Sequence, residues 1–476
     1  MMGFSDFPIP KDWPTYLPHR LMSKYLDAYA NEFNLKQHIK FNRRVISLKP
    51  VVDDVGNHTG KWEVTVESTS EKRKMDALKR KGQSVGGSNA STDVEDSQDM
   101  DSNASRKSST RTRSYTFDGI MIATGHHWKP RLPDYPGVEL FQGKMLHSHS
   151  YRVPYPFKDQ RVLIVGVGNS GLDIASELSN HAKQVYVSSR SGTWVLPKFG
   201  FFGMPTDHLS SRAISALPRS VVNFALESLS RIYSGNLEAS GLKPTHHVLE
   251  AHPTVNGEVF DRIGSGKIIV KPNVLCFLDS DTVQFEDDSE EVVDVVLYCT
   301  GYSIENHFLE SSQILGKEEG SNRIQLYKHI FPIHHTNIAW IGLVQPIGSV
   351  LPVSEMQARW AARLFAGHCS LPNPKSMRDE IDKDWEQHCA TFIPRERHTV
   401  QVDYIPYMDM IAKKIGCLPD VMTYWMRDWL LAAQLTFGPA IPSQYRLVGP
   451  GIWDGARIAI SDACQGYDFL RRNSKS

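Results

Sequence analysis

Val162-Leu163-Ile164-Val165-Gly166-Val167-Gly168-Asn169-Ser170-Gly171-Leu172-Asp173-Ile174-Ala175 is the stretch from which the rest of the chain is read. An apolar strand runs into G-x-G-x-x-G, and the glycines open a helix. Gly166 allows the tight turn, Gly168 lets the backbone approach a pyrophosphate, and Gly171 lets the helix pack close to the strand. Asn169, Ser170, Leu172 and Asp173 complete the turn and the first helical turn, where free N–H groups and positive potential face the phosphates. A bare glycine turn is the plain alternative, but strand and helix are both in place, and dinucleotide binding is the expectation. The next strand, Gln184-Val-Tyr-Val-Ser188-Ser189-Arg190, ends without an acid. An NAD site wants Asp or Glu there for the ribose hydroxyls, whereas a cation suits the 2′-phosphate of NADP. Arg190 is that cation, with Ser188 and Ser189 as further donors; an exposed loop arginine is the alternative.

Outside this unit, composition mostly excludes. The 476 residues are too many for one ordinary core and predict two or so domains. Lys+Arg and Asp+Glu are 53 each, so no global charge favours nucleic acid. The six cysteines form no C-x-x-C pair, which argues against a disulfide scaffold or a zinc ribbon and fits a reducing compartment. Nineteen histidines include the pairs His126-His127, His246-His247 and His334-His335. None has metal-ligand spacing, so they read as loop or core histidines. No basic-then-apolar leader pattern occurs at the N-terminus, and no apolar run reaches the about 18 residues of a membrane span.

Along the chain, residues 15–48 read as a helix followed by a strand, with Tyr25, Leu26, Tyr29, Ala30 and Phe33 at helical spacing. Trp62–Val66 alternates as a half-buried strand does. Residues 70–114 lose almost all apolar content and are expected to be a disordered insert in a hairpin loop, the strand pattern resuming at Tyr115. Residues 118–125 form an apolar strand closing on Thr124-Gly125, an ending that recurs at Thr300-Gly301. A helical insertion is expected near 205–240, with Val221, Val222, Ala225 and Leu226 on one face. Short strands fill 266–300, and 376–435 is mostly helical.

Upstream of the glycine motif lies Phe141-Gln-Gly143-Lys-Met-Leu-His147-Ser-His-Ser-Tyr151-Arg152, the pattern F-x-G-x-x-x-H-x-x-x-Y-[KR]. Together the two motifs resemble the fingerprint of the flavin-containing monooxygenase family, in the animal, N,N-dimethylaniline monooxygenase-like form. Baeyer–Villiger relatives usually carry Trp-Pro or Trp-Asp where this chain has Tyr151-Arg152. A purely structural linker is the other reading of His147. The resemblance continues through Val296–Tyr302, Gly342–Ser349, Glu355–Trp360 and Leu447–Arg457, and so covers nearly the whole chain.

The resemblance implies an α/β fold with two dinucleotide-binding (Rossmann-type) domains and the cofactors FAD and NADP. An NADP domain, 151–300, would be inserted into an FAD domain whose parts are 1–69 with 115–150, and 301–476. Thr124, Gly125, Thr300, Gly301, Ser349 and Gln357 would flank the cofactors. NADPH would reduce FAD, and a flavin C4a-hydroperoxide would pass one oxygen atom of O2 to a soft nitrogen or sulfur atom of an amine or sulfide. No nucleophile–base constellation is found, and the family's active-site Asn, with its first glycine motif, is expected to precede residue 1. Two alternatives stay open: a truncated, impaired chain that binds NADP(H) only, and a ketone-oxygenating relative. No transmembrane segment is expected, and the location is cytoplasmic, with peripheral association at the endoplasmic reticulum membrane or a homodimer left open.

Overall fold

The computed structural model describes residues 2–69, 112–200, 203–309, 314–317, 323–393 and 398–464. Most of the expected disordered insert, 70–111, lies outside them. By its internal contacts the chain divides into two compact units, Pro18–Ile120 with Asn306–Ile314, and Met1–Leu17 with Met121–Glu305 and Leu315–Ser476.

The smaller unit holds helix α1 (His19–Glu32) and strands β1 (Arg43–Val52), β2 (His58–Ser68) and β3 (Thr112–Phe117). The strands form an antiparallel sheet in the order β1-β2-β3, with Trp62 opposite both Pro50 and Phe117. Strand β3 therefore begins at Thr112, three residues before the expected Tyr115. The β2–β3 pairing makes the 70–111 segment the connection of a hairpin. Of the helical positions read from the sequence, only Tyr25 is buried.

The larger unit is built round a parallel sheet. In chain order its elements are β4 (Lys144–His147), β5 (Arg161–Val165), α2 (Asn169–Leu178), β6 (Gln184–Ser188), α3 (Arg219–Ser234), β7 (Ile268–Lys271) and β8 (Val295–Tyr298). The sheet order is β7-β6-β5-β8-β4, and every pairing is parallel. Central strands of such a sheet are covered on both faces and must be apolar throughout. In β5, Val162 and Ile164 point into a core with Leu172, Ala175 and Leu178 of α2. Leu163 and Val165 point the other way, into a core with Phe141, Phe277 and Phe285. The period-2 alternation of one strand thus holds two layers together. Three short antiparallel strands, Val274–Phe277, Thr282–Phe285 and Glu290–Val292, lead into β8.

The region after residue 340 is helical: α4 (Val350–Phe365), α5 (Pro374–Thr391), α6 (Tyr404–Ile415), α7 (Val421–Arg427) and α8 (Trp429–Phe437). Val353, Met356 and Trp360 of α4 pack with Met408, Ile411 and Ala412 of α6 in one core. Among the described residues, no helix is long and apolar enough to cross a membrane. None of the six cysteines is in a disulfide.

Helix α3 lies within the helical insertion expected near 205–240. Its buried residues are Asn223, Glu227, Leu229 and Ser230, while Val221 is 50% and Phe224 70% exposed. The apolar face is split, with Val221 and Ala225 exposed while Leu226 is half-buried against Trp194 and Val248, and the buried polar residues are held by hydrogen bonds to distant backbone. Asn223 Oδ1 accepts from Leu249 N–H at 3.2 Å, Glu227 Oε1 from Val248 N–H at 3.3 Å, and Ser230 Oγ donates to the Val195 carbonyl at 2.8 Å.

Candidate cofactor site

The turn between β5 and α2 is built by its glycines. Gly166 has φ +113°, and a Cβ on it would lie 2.6 Å from the Cys299 carbonyl oxygen, so a side chain is excluded both by backbone strain and by contact. A Cβ on Gly171 would lie 2.1 Å from the Gly166 carbonyl oxygen, which fixes how closely α2 meets the strand end. Around Gly168 there is open space: a Cβ there would meet nothing within 4 Å. Gly168 is also the N-cap of α2 and no side chain caps it, so the first N–H groups of the helix look outward. An uncapped helix start beside open space fits a phosphate.

That turn is one wall of a cavity of about 720 Å³ in the larger unit. Of the residues read from the sequence, Gly166, Gly168, Asn169, Ser170, Arg190, Thr300 and Gly301 line it. Asn169 is held there by Oδ1 accepting from Val255 N–H at 2.9 Å.

Apart from Ser188, the other expected residues are not on that wall. Leu172 is fully buried in the core under the helix. Asp173 accepts from Asn256 Nδ2 at 2.9 Å, and burial raises its pKa. Ser189 Oγ accepts from Gly192 N–H at 3.0 Å, which shapes the loop carrying Arg190. Ser188 is also on the wall, but its hydroxyl donates to the Pro272 carbonyl at 2.9 Å. Gln357 is buried with both ends engaged: Oε1 accepts from Gly342 N–H at 2.7 Å and Nε2 donates to Tyr407 Oη at 2.8 Å. Tyr407 in turn donates to the Lys328 carbonyl at 2.6 Å. The strand expected over 118–125 is only Ile120–Ile122, paired with Ile338–Trp340, so Thr124 and Gly125 lie just beyond its end; Ile341 N–H donates to the Ile122 carbonyl at 2.8 Å. Ser349 is the N-cap of α4, and its buried hydroxyl has no partner among the described residues.

The F-x-G-x-x-x-H-x-x-x-Y-R residues are all engaged inside the fold. Phe141 packs 5.4 Å from Phe277, edge to face. A Cβ on Gly143 would collide with the Phe141 ring and the Asp294 carbonyl. His147 Nδ1 accepts from His149 N–H at 3.1 Å. Its other nitrogen therefore carries the proton and donates to the Gly301 carbonyl, 3.1 Å away. Burial holds this pKa below the usual histidine range, so the ring is neutral at pH 7. Tyr151 stacks on Phe157 and donates to Glu177 at 2.7 Å, and burial pushes its phenol far up. Arg152 donates to the His149 and Tyr151 carbonyls, at 2.7 Å each. The motif thus fastens the strand after residue 141 to the Gly301 turn of the cavity.

Several wall residues carry no motif: His126, His127, Arg131, Tyr135 and Asn273. The first two were read as loop or core histidines. His126 is buried, and on the cavity wall. Its position directly after Thr124-Gly125 was the available signal. Among the described residues no cluster of His, Cys, Asp and Glu could hold a metal ion.

A phosphate-ready turn, a cation at the end of the second strand and a shared cavity define a dinucleotide-binding α/β protein. The flavin-binding monooxygenase-like family model matches residues 1–80 and 84–468. Flavin-containing monooxygenase 5 of Cavia porcellus is 37% identical over 99% of this chain and 81% of its own length. The human protein of that name is 38% identical over 97% and 79%. Dimethylaniline monooxygenase (N-oxide-forming) 2 of Pan troglodytes is 36% identical over 97% and 79%. The chain belongs to the flavin-binding monooxygenase-like family. It is an enzyme of the oxidoreductase class, a flavoprotein monooxygenase with FAD and NADP as cofactors. Two solved structures share the fold. S-allyl-L-cysteine S-oxygenase from Allium sativum has a TM-score of 0.58 at 21% identity, covering 97% of this chain and 82% of its own. Cyclohexanone monooxygenase from Rhodococcus sp. Phi1, bound to NADP+, has 0.55 at 14%, covering 84% and 83%.

Proposed function

We propose that this protein uses NADPH and O2 to place one oxygen atom on a soft nitrogen or sulfur atom of a small amine or sulfide. The observation that carries the reading is the open, uncapped start of α2 in one cavity with Arg190 and the Thr300-Gly301 turn. In this reading the N–H groups of Asn169 and Ser170 bind the pyrophosphate of NADPH, and Arg190 meets its 2′-phosphate. The His147–Gly301 hydrogen bond fixes the turn that follows β8, which lies beside that cradle. Ser349, with its unmet hydroxyl at the start of α4, holds a polar edge of FAD. FAD, when bound, supplies the redox chemistry that links hydride from NADPH to activation of O2. The chain's own contribution is positioning and exclusion of water, with Ile304 and Val400 as apolar parts of the wall. Residues 151–300 act as the NADP domain, set within an FAD domain formed by the segments before and after it.

The test is product analysis. The purified protein is supplied with FAD, NADPH and, separately, a tertiary amine, a thioether and a cyclic ketone. N-oxide or sulfoxide formed in step with NADPH consumption supports the reading. Lactone from the ketone, with no reaction of the other two, would replace it by ketone oxygenation.

A further inference from the structure

Three consecutive residues hold the glycine turn and the start of α2 in place. Thr254 Oγ1 donates to the Val167 carbonyl at 3.1 Å, Val255 N–H donates to Asn169 Oδ1 at 2.9 Å, and Asn256 Nδ2 donates to Asp173 Oδ1 at 2.9 Å. Thr254 is 1% exposed, and none of the three lines the cavity, whereas Val167, Gly168 and Asn169 do. The brace is itself fixed. Thr254 and Val255 pair in parallel with Val195 and Leu196. Thr254 N–H donates to the Trp194 carbonyl at 2.8 Å, and Asn256 N–H to the Leu196 carbonyl at 3.0 Å. A hydroxyl has one proton, and that of Thr254 goes to Val167, so the Thr193 hydroxyl, 3.1 Å away, is the donor to Thr254 Oγ1.

The consequence lies in the peptide between Val167 and Gly168. In a trans peptide the C=O and the N–H point in opposite directions. Thr254 stands off the cavity wall and takes the carbonyl, which turns the Gly168 N–H toward the open space beside the turn. Gly168 has no Cβ to resist a turnover of that peptide, and a turned-over peptide would set a carbonyl where an anion needs N–H groups. The Val255 bond acts alike on Asn169, since it occupies a side-chain oxygen that could otherwise cap the helix N–H groups. We propose that Thr254 is a positioning residue of the cofactor site, whose hydroxyl, through the Val167 carbonyl, sets the Gly168 N–H toward the pyrophosphate of NADP(H). This rests on the dinucleotide reading of the cavity.

The probes are NADP+, which carries the pyrophosphate, and adenosine 2′-monophosphate, which keeps the 2′-phosphate and lacks the pyrophosphate. Affinities are measured by calorimetry on the purified protein, without turnover, the monophosphate by its displacement of NADP+. Thr254→Val, of nearly the same shape but without the hydroxyl, should bind NADP+ about tenfold more weakly, the worth of one hydrogen bond. Its affinity for the monophosphate should be unchanged. Thr254→Ser, which keeps the hydroxyl, should return NADP+ binding to within about twofold of the unmodified protein. Thr254→Ala gives the same comparison should the valine protein not fold. Unchanged NADP+ affinity without the hydroxyl overturns the assignment. So does an equal loss for both ligands, which marks a general loosening of the fold, and so does failure of the serine to restore binding. Failure of the unmodified protein to bind NADP+, or to bind the monophosphate, would instead overturn the dinucleotide reading itself.

Discussion

Arg190 and His126 both line the cavity, and they were unequally visible in the sequence. Arg190 was legible because the strand–turn–helix pattern assigns a job to the residue ending the second strand, whatever lies elsewhere in the chain. Arg190→Ala should weaken NADPH binding by about 1.5–3 kcal/mol, the worth of a charge-assisted contact, and leave NADH nearly untouched. Equal affinities for the two nucleotides in the unmodified protein would refute its role. His126 was not legible, because the wall it shares with Thr300, Gln345 and Val400 is assembled from segments more than a hundred residues away in the chain. Its burial also makes stability depend on pH. The folded-state pKa lies at about 4, below the ordinary 6.5, so the unfolded chain takes up its proton first as pH falls. The contribution is intact above pH 6.5 and is lost progressively toward pH 4, by about 2–3 kcal/mol. Urea unfolding of the cofactor-free protein should show this loss, and His126→Gln should have a flatter profile. Parallel profiles for the two proteins would exclude His126 as a source of the acid sensitivity.

Among the elements, β5, α2 and α3 were all read from the sequence, but not the polar side that α3 buries. Strand β5 is buried on both faces, so apolarity alone identifies it. Helix α3 buries Asn223, Glu227 and Ser230 because their partners, Leu249, Val248 and Val195, come from other segments. Apolar spacing within the helix has no access to that fact, and Val221 of the apolar face is 50% exposed. Glu227 is the test of this account. It accepts from the Val248 N–H and lies 2.9 Å from His247 Nδ1, raising the His247 pKa. Glu227→Ala should cost about 1–3 kcal/mol, since it strands a buried N–H. Val221→Ala, on the exposed side, should stay within about 0.5 kcal/mol. A larger loss from the valine than from the glutamate, measured by thermal unfolding, would restore the apolar-face reading.

Over the whole molecule, long-range closures were the least legible feature. The Arg446 guanidinium reaches Asp6 at 2.7 Å and Glu355 at 2.9 Å, and Ser5 N–H donates to the same glutamate at 2.7 Å. These charges are largely buried, so Arg446→Ala should destabilise by about 3–5 kcal/mol, because it leaves two carboxylates without their cation. A melting temperature within a degree or so of the unmodified protein would show that water replaces the arginine at little cost. The parallel sheet has a closure of its own, with a kinetic meaning. Its middle strand, β5, pairs on one side with β8, which also carries the edge strand β4. During synthesis, Val165 leaves the ribosome well over a hundred residues before Tyr298. At about 5–20 residues per second, a nascent chain waits on the order of ten seconds with one edge of this central, buried strand unpaired. In that interval the emerging polypeptide offers an open template for aggregation, and a holdase chaperone would find its target there.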